Sequence, residues 1–411
     1  MSEKKDLKES KLFTPYKLGN ITLRNRTIRS AAFESMGDKF GPTQQLKDYH
    51  VSVAKGGIGM TTLAYAAVCR SGLSFDKQLW LRPEIVPGLK DITDAVHEAG
   101  AAASIQIGHC GNMTHYSTAG QIPIGPSTGI NMYAYTPVRR MRKDEIRQVA
   151  SDFGRAIHTA HEAGFDCVEV HAGHGYLISQ FLSPYTNHRR DEFGGSLDNR
   201  MRFMRMCMDE VMEAAAKTGT SILVKHNMED GFKSGIQIPE SIEIAKVIES
   251  YGVDGIVLSS GFVSRAPMAV MRGLIPIYTM SYYMPLWLRY FVRWFGPYMI
   301  QQYPFEETFF YDNAMKFRKE LKCPLVYVGG LVSREGIDKV LDSGFEMVQM
   351  GRALVSEPDF VNRLATEGAG CRSRCDHKNY CIARMYSVDM KCHKDCPNLP
   401  RKITDELAKL P

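Results

Sequence analysis

The stretch FDCVEVHAGHGYLISQF, residues 165–181, decides how this chain is read. FDCVEV is an apolar, β-branched run with the composition of a buried strand. His171, His174 and Tyr176 then fall within six positions, with Gly173 and Gly175 on either side of His174. A strand that ends in polar side chains and runs through glycine into the pattern LISQF is what a parallel β/α unit delivers at the end where chemistry gathers.

Seven more short apolar runs have the same form: TIRSA (27–31), GMTTLAY (59–65), AAASIQI (101–107), SILVKH (221–226), GIVLSS (255–260), PLVYVG (324–329) and EMVQMG (346–351). With DCVEVH (166–171) they make eight. Between them lie helical patterns such as EIVPGLKDITDAVHEAG, DEIRQVASDFGRAIHTAHEAG and REGIDKVLDSG, whose tails end on glycine just before the next strand. Eight strands alternating with helices predict a (β/α)8 TIM barrel. A doubly wound sheet would want GxGxxG after its first strand, and none occurs there. LGNITLRN (18–25) reads as a short N-terminal hairpin that plugs the barrel bottom.

The barrel is expected over 12–365. An aromatic-rich insertion, 262–312, follows strand six, and a Cys-rich extension, 366–411, follows the last unit. The insertion contains SYYMPLWLRYFVRWFGPYMI (281–300), broken by Pro285, Arg289, Arg293 and Pro297, and therefore a poor transmembrane span. Arg289 and Arg293, four apart, share one helix face. That segment is expected to act as a lid over a pocket for bulky apolar substrates. Peripheral membrane contact and a plain extra helix are the alternatives.

The charge balance, 51 Lys and Arg against 45 Asp and Glu, is spread without a long basic block, which argues against nucleic acid as a partner. The N-terminus, MSEKKDLKESKLF, lacks the apolar core of a secretory signal. Ten cysteines without a signal point to a reducing, cytoplasmic setting.

At the C-terminal strand ends stand Gln106, His171, Lys225, Ser259, Gly329 and Gly330, and Gly351 and Arg352. Glycine loops after strands seven and eight offer backbone amides to a phosphate, and Arg352 adds a charged contact. Lys225 suits negative charge on a bound ring, and Gln106 suits the edge of a heterocycle. His171 and His174 can set two N–H donors on one carbonyl oxygen. A tyrosine hydroxyl stays protonated at neutral pH, so Tyr176 can act as general acid. A zinc site is the rival reading of HAGH; it would need His109 or Cys110 as a third ligand and leaves Tyr176 unexplained.

The run HAGHGYLISQFLSPYTNHRRDEFGGSLDNRMRF (171–203) resembles the signature of the Old Yellow Enzyme family of FMN-dependent oxidoreductases. LFTPYKLGNITLRNRTIRSAA, QIGHCG, VKHNMED, VGGLVSREG and MGRALVSEPDF extend the resemblance from about residue 12 to 360. It implies FMN across the strand ends. Ala31 and Ala32 would line the flavin, Gln106 and Lys225 would contact its ring, and Gly329, Gly330, Gly351 and Arg352 would hold its phosphate. It further implies a cycle in which NADH or NADPH reduces FMN. An α,β-unsaturated carbonyl compound, held by His171 and His174, would then take hydride from flavin N5 and a proton from Tyr176. Asn187, Arg189, Asp191 and Arg200 would anchor a loop.

Three departures stand out. Lysine occupies position 225 where the family usually has arginine, which loses the planar fork. Phe33 stands where many relatives carry cysteine or threonine. In CDHKNYCIARMYSVDMKC (375–392), Cys375, Cys381 and Cys392 match three ligands of the iron–sulfur cluster found in larger relatives, but Lys378 holds the second ligand position. A lost cluster is favoured; Cys371 or Cys396 as replacement ligand, or a zinc site, are alternatives. With Pro411 as the last residue, no electron-relay domain is expected. Dehydrogenation, amine demethylation or dienoyl-CoA-type reduction with a cluster are the competing activities, and a metal-binding or regulatory protein on a decayed barrel is the competing class.

Overall fold

The eight apolar runs close on themselves. The structure is a computed structural model and describes residues 10–131, 136–267, 272–300, 302–385 and 387–410. A hairpin of β1 (Tyr16–Leu18) and β2 (Ile21–Leu23) comes first, followed by β3 (Thr27–Arg29), β4 (Met60–Ala67) and β5 (Ala102–Gly108). Three short strands, β6 (Ile124–Gly125), β7 (Gly129–Asn131) and β8 (Thr136–Arg140), form a small sheet in the loop after β5. Then come β9 (Cys167–Ala172), β10 (Ser221–Asn227), β11 (Gly255–Ser259), β12 (Leu325–Val328) and β13 (Met347–Met350).

The order β3-β4-β5-β9-β10-β11-β12-β13 returns to β3 with every pairing parallel, a closed TIM barrel. Closure removes both edges of this sheet, so none of the eight barrel strands is left as a template for another chain.

The hairpin is the expected plug. Leu18 and Leu23, each 1% exposed, pack against Met60, Cys167, Leu223, Val326 and Met347 beneath the barrel. Burying two leucines there is worth roughly 3–6 kcal/mol in removed apolar surface.

The first barrel strand ends earlier than TIRSA suggests, at Arg29. The buried Arg29 guanidinium donates to Glu34 Oε1 (2.5 Å), Thr62 O (2.7 Å) and Ala32 O (2.9 Å). That capture folds residues 30–34 off the ladder and leaves Ser30, Ala31 and Ala32 as an irregular wall at the top of the barrel.

Within the 262–312 insertion, helix Ile277–Tyr283 packs on the C-terminal segment, and helix Leu286–Met299 packs on that helix in turn. Tyr283 and Tyr380 share a 2.7 Å hydroxyl contact, and the Glu406 carboxylate accepts the backbone N–H groups of Tyr278 and Thr279, both at 2.8 Å. Arg289 and Arg293 turn inward, donating to Tyr282 O and Ser281 Oγ. The opposite face leaves Trp294 74% and Tyr298 89% exposed. The insertion reaches the top of the barrel at its two ends, through Phe262 beside Gly175 and through Phe305 and Phe309.

Candidate active site

The turn after β9 explains its own sequence. His174 adopts a left-handed conformation (φ 59°), held by Asn227 Oδ1, which accepts its backbone N–H at 3.0 Å, and by the Val263 N–H, which donates to its carbonyl at 3.0 Å. Glycine is required on both sides. A Cβ at Gly173 would lie 2.7 Å from Asn227 Oδ1, and one at Gly175 (φ 79°) 2.5 Å from the Phe262 ring.

This turn sets the imidazoles of His171 and His174 at 89° with centroids 4.9 Å apart. The Tyr176 ring lies 4.5 Å from that of His171 and 4.9 Å from that of Tyr65, whose hydroxyl is tied to Ser74 Oγ at 2.6 Å. His171 Nδ1 accepts the Gly173 N–H (3.3 Å), which leaves the ring proton on Nε2 as a donor. His174 Nε2 lies 2.7 Å from Ser259 Oγ at the end of β11. Burial pushes both histidines down, His171 well below its ordinary value and His174 to about 3, with the nearby Lys225 cation adding to the effect. Both rings are therefore neutral hydrogen-bond donors at physiological pH, not cations.

Beside them opens a cleft with about 190 Å³ of internal space. Ser30, Ala31 and Ala32 form one wall; His174, Lys225, Ser259 and Gln349 line the barrel side; Gly329, Gly330, Gly351 and Arg352 stand at the far end. His377, from the Cys-rich extension, lines it too, stacked on Phe305 with centroids 3.5 Å apart. Gln106, His171 and Tyr176 are not among the lining residues. Gln106 instead donates from Nε2 to Glu169 Oε1 at 2.6 Å.

Glu169 is the residue that sequence reasoning missed. Fully buried on β9, it also receives Lys225 Nζ at 2.8 Å and Gln349 Nε2 at 2.6 Å. A signal was present: Glu169 sits two residues before His171, so both share one strand face, and a carboxylate buried there requires a cation.

The cleft fits FMN by its donor set and by what it leaves unmatched. At the glycine end, Arg352 has no carboxylate partner among the described residues, and its amino group donates to Asn379 Oδ1 at 2.5 Å. Arg272, lying over the Phe309 ring, has a buried Nε with no hydrogen-bond partner. The Arg352 guanidinium beside glycine loops suits a phosphate dianion, while Arg272 does not line the cleft and reaches it only through the Phe309 ring. At the other end, the buried Gln349 Oε1 is likewise unpartnered, an acceptor for a ring N–H.

The cysteines do not make a comparable fit for a metal. Cys375, Cys381 and Cys392 line one small cavity together with Lys378. Cys371 lies in the barrel core cluster, its carbonyl accepting the Arg334 N–H, and Cys396 contacts Tyr380 and Arg384, so neither joins that cavity. Among the described residues no group of three or more His, Cys, Asp or Glu side chains is placed to hold a metal ion, His171 and His174 included.

The loop residues behave as anchors. Arg189 grips Asp191 at 2.9 and 2.7 Å and donates to Pro126 O and Met141 O, while Asn187 bridges Phe181 O and Phe193 O. Arg200 pairs with Glu240.

A parallel barrel with neutral donors and a tyrosine at one strand end, beside a cleft built for a phosphate-bearing ring, defines a flavin-dependent oxidoreductase. The chain belongs to the NADH:flavin oxidoreductase / NADH oxidase family, whose model matches residues 11–270. It is 37% identical over 377 residues to the 4,4'-dithiodibutanoate disulfide reductase of Rhodococcus erythropolis, covering 92% of this chain and 93% of that protein. It is 38% identical over 263 residues to the NADPH dehydrogenase of Listeria welshimeri, covering 63% of this chain and 76% of that one. The fold is shared with the old yellow enzyme homologue from Zymomonas mobilis, at a TM-score of 0.69 and 24% identity over 89% of this chain and 95% of that one. The resemblance read from residues 171–203 is thereby borne out, as are the barrel and the oxidoreductase class.

Proposed function

We propose that this enzyme reduces the activated C=C bond of α,β-unsaturated carbonyl compounds with NADH or NADPH. The carrying observation is the pair of neutral imidazoles of His171 and His174, crossed at 89° with Tyr176 packed beside them at one strand end. Ala31, Ala32, Lys225, Gly329, Gly330, Gly351 and Arg352, with Gln106 near by, would hold FMN, which would supply two-electron transfer between nicotinamide and substrate.

The protein's own residues do the rest. Nε2–H of His171 and a ring N–H of His174 donate to the carbonyl oxygen, drawing electron density from the conjugated bond so that its β-carbon accepts hydride. Tyr176 delivers the proton to the α-carbon, balancing one hydride and one proton added across the bond. Neutral donors hold the carbonyl without themselves being spent as acids. The cysteines of the extension take no part, and no iron or zinc belongs to this reading. The exposed aromatic face of Leu286–Met299 serves as a surface for peripheral membrane contact.

A second reading has specific support from the near full-length likeness to a disulfide reductase: the same reducing equivalents would convert one disulfide to two thiols. Tyr176→Phe separates the two. With an enone, turnover is expected to fall by about 10²–10⁴-fold, the range for a general acid, while turnover with ferricyanide is retained. An unchanged enone rate would overturn the role of Tyr176. Faster wild-type turnover with 4,4'-dithiodibutanoate than with any enone favours the second reading. Flavin, iron and zinc measured on the same preparation should give one FMN per chain and no stoichiometric metal.

A further inference from the structure

The centre of the barrel top is a buried carboxylate with three donors. Glu169 Oε1 accepts from Gln106 Nε2 at 2.6 Å and from Lys225 Nζ at 2.8 Å, and Oε2 accepts from Gln349 Nε2 at 2.6 Å. These donors come from β5, β10 and β13, so four of the eight strands meet on one side chain. Glu169 is 0% exposed and Lys225 2%.

A carboxylate accepts hydrogen bonds and does not donate them, so both glutamines must turn their NH2 groups toward it. Their oxygens are then directed elsewhere. For Gln349, which lines the cleft, that oxygen is buried and unpartnered. Lys225, which also lines the cleft, has Ser30 Oγ at 3.3 Å as its other contact. This cation, which lines the cleft, is thus held from below by an opposite charge.

We propose that Glu169 is a positioning residue for the flavin, dividing the field of Lys225 between the barrel interior and the cleft and fixing Gln106 and Gln349 as acceptors. This rests on the FMN reading above. In a low-dielectric interior two charges 2.8 Å apart offset each other strongly as seen from a third site. A lone lysine would favour extra negative charge on the ring; the Glu169 carboxylate opposes it. The flavin of this chain is therefore harder to reduce than Lys225 alone would make it.

The test is the midpoint potential of bound FMN in the holoenzyme, read by spectroelectrochemical titration of wild type and Glu169→Gln. At a fixed potential the ratio of reduced to oxidised flavin is expected to rise at least tenfold in the variant, a positive shift of about 30 mV for a two-electron couple. An unchanged or lower potential overturns the proposal. Should Glu169→Gln fail to fold, Glu169→Met, which also removes the charge while Lys225 stays in place, is titrated instead, with the same positive shift expected. An unchanged or lower potential there overturns the proposal equally. Wild type that binds no FMN overturns the functional reading itself and this inference with it, an outcome visible in the first absorption spectrum.

Discussion

Ser259 Oγ lies 2.7 Å from His174 Nε2, joining the end of β11 to the turn after β9. This contact occupies one ring nitrogen of His174 and fixes the direction of the other. Ser259→Ala should release the ring at the cost of a hydrogen bond worth about 1 kcal/mol, lowering kcat/KM for an enone roughly fivefold. Steady-state kinetics check this, with Ser259→Thr expected to recover part of the loss. Equal kcat/KM in all three proteins would mean that His174 is oriented by its backbone alone.

Gly330 is the position where the far end of the cleft tolerates no side chain. Its φ is 73°, and a Cβ would meet Glu306 O and Phe309 Cδ1, both at 2.8 Å. Gly330→Ala should destabilise the protein by roughly 1–3 kcal/mol through backbone strain and overlap. FMN affinity should fall with it, measured by quenching of flavin fluorescence. Thermal unfolding of the FMN-free protein separates the two effects.

Buried histidines make the fold acid-sensitive. Burial lowers His109 and His174 to about 3 and His226 and His377 to about 4. In the unfolded chain they protonate near pH 6.5, so below that pH the unfolded state binds more protons and stability falls as pH falls, until the folded values are reached. Each contributes up to about 1.4 kcal/mol per pH unit inside its window. His97, raised by its hydrogen bond to Asp166, runs the other way. Urea unfolding at pH 7.5, 6.5 and 5.5 should show a small loss over the first step and one roughly two- to threefold larger over the second; equal stability throughout would contradict the neutral assignment.

The outer face of Leu286–Met299 should bind lipid. With Trp294 and Tyr298 exposed and both arginines turned inward, it presents interfacial aromatics without exposed charge. Wild type is expected to cosediment with phosphatidylcholine–phosphatidylglycerol vesicles, and a Trp294→Ser, Tyr298→Ser double variant is expected to stay in the supernatant. Wild type remaining in the supernatant would assign that face no lipid role. Among the described residues no helix is long and apolar enough to cross a membrane.

What the sequence by itself determined was the barrel and the identity of most groups at its mouth. Strand patterning is local: eight β-branched runs separated by helical periods admit few closed arrangements, and glycine beside His174 is legible because only a backbone constraint calls for it. Lys225, Ser259, Gly329 and Arg352 could be named because each lies at or within two residues of the C-terminal end of a strand. Pairing across the barrel was not legible. Glu169 reads as one polar residue in an apolar strand until β5, β10 and β13 bring Gln106, Lys225 and Gln349 to it. The cysteines show the converse limit. Spacing aligned Cys375, Cys381 and Cys392 and left Cys371 and Cys396 open, whereas the folded extension places those two apart from the shared cavity. Sequence spacing records distance along the chain, while hydrogen bonds and ion pairs depend on distances of about 3 Å in space, and those distances are set only when the strands close.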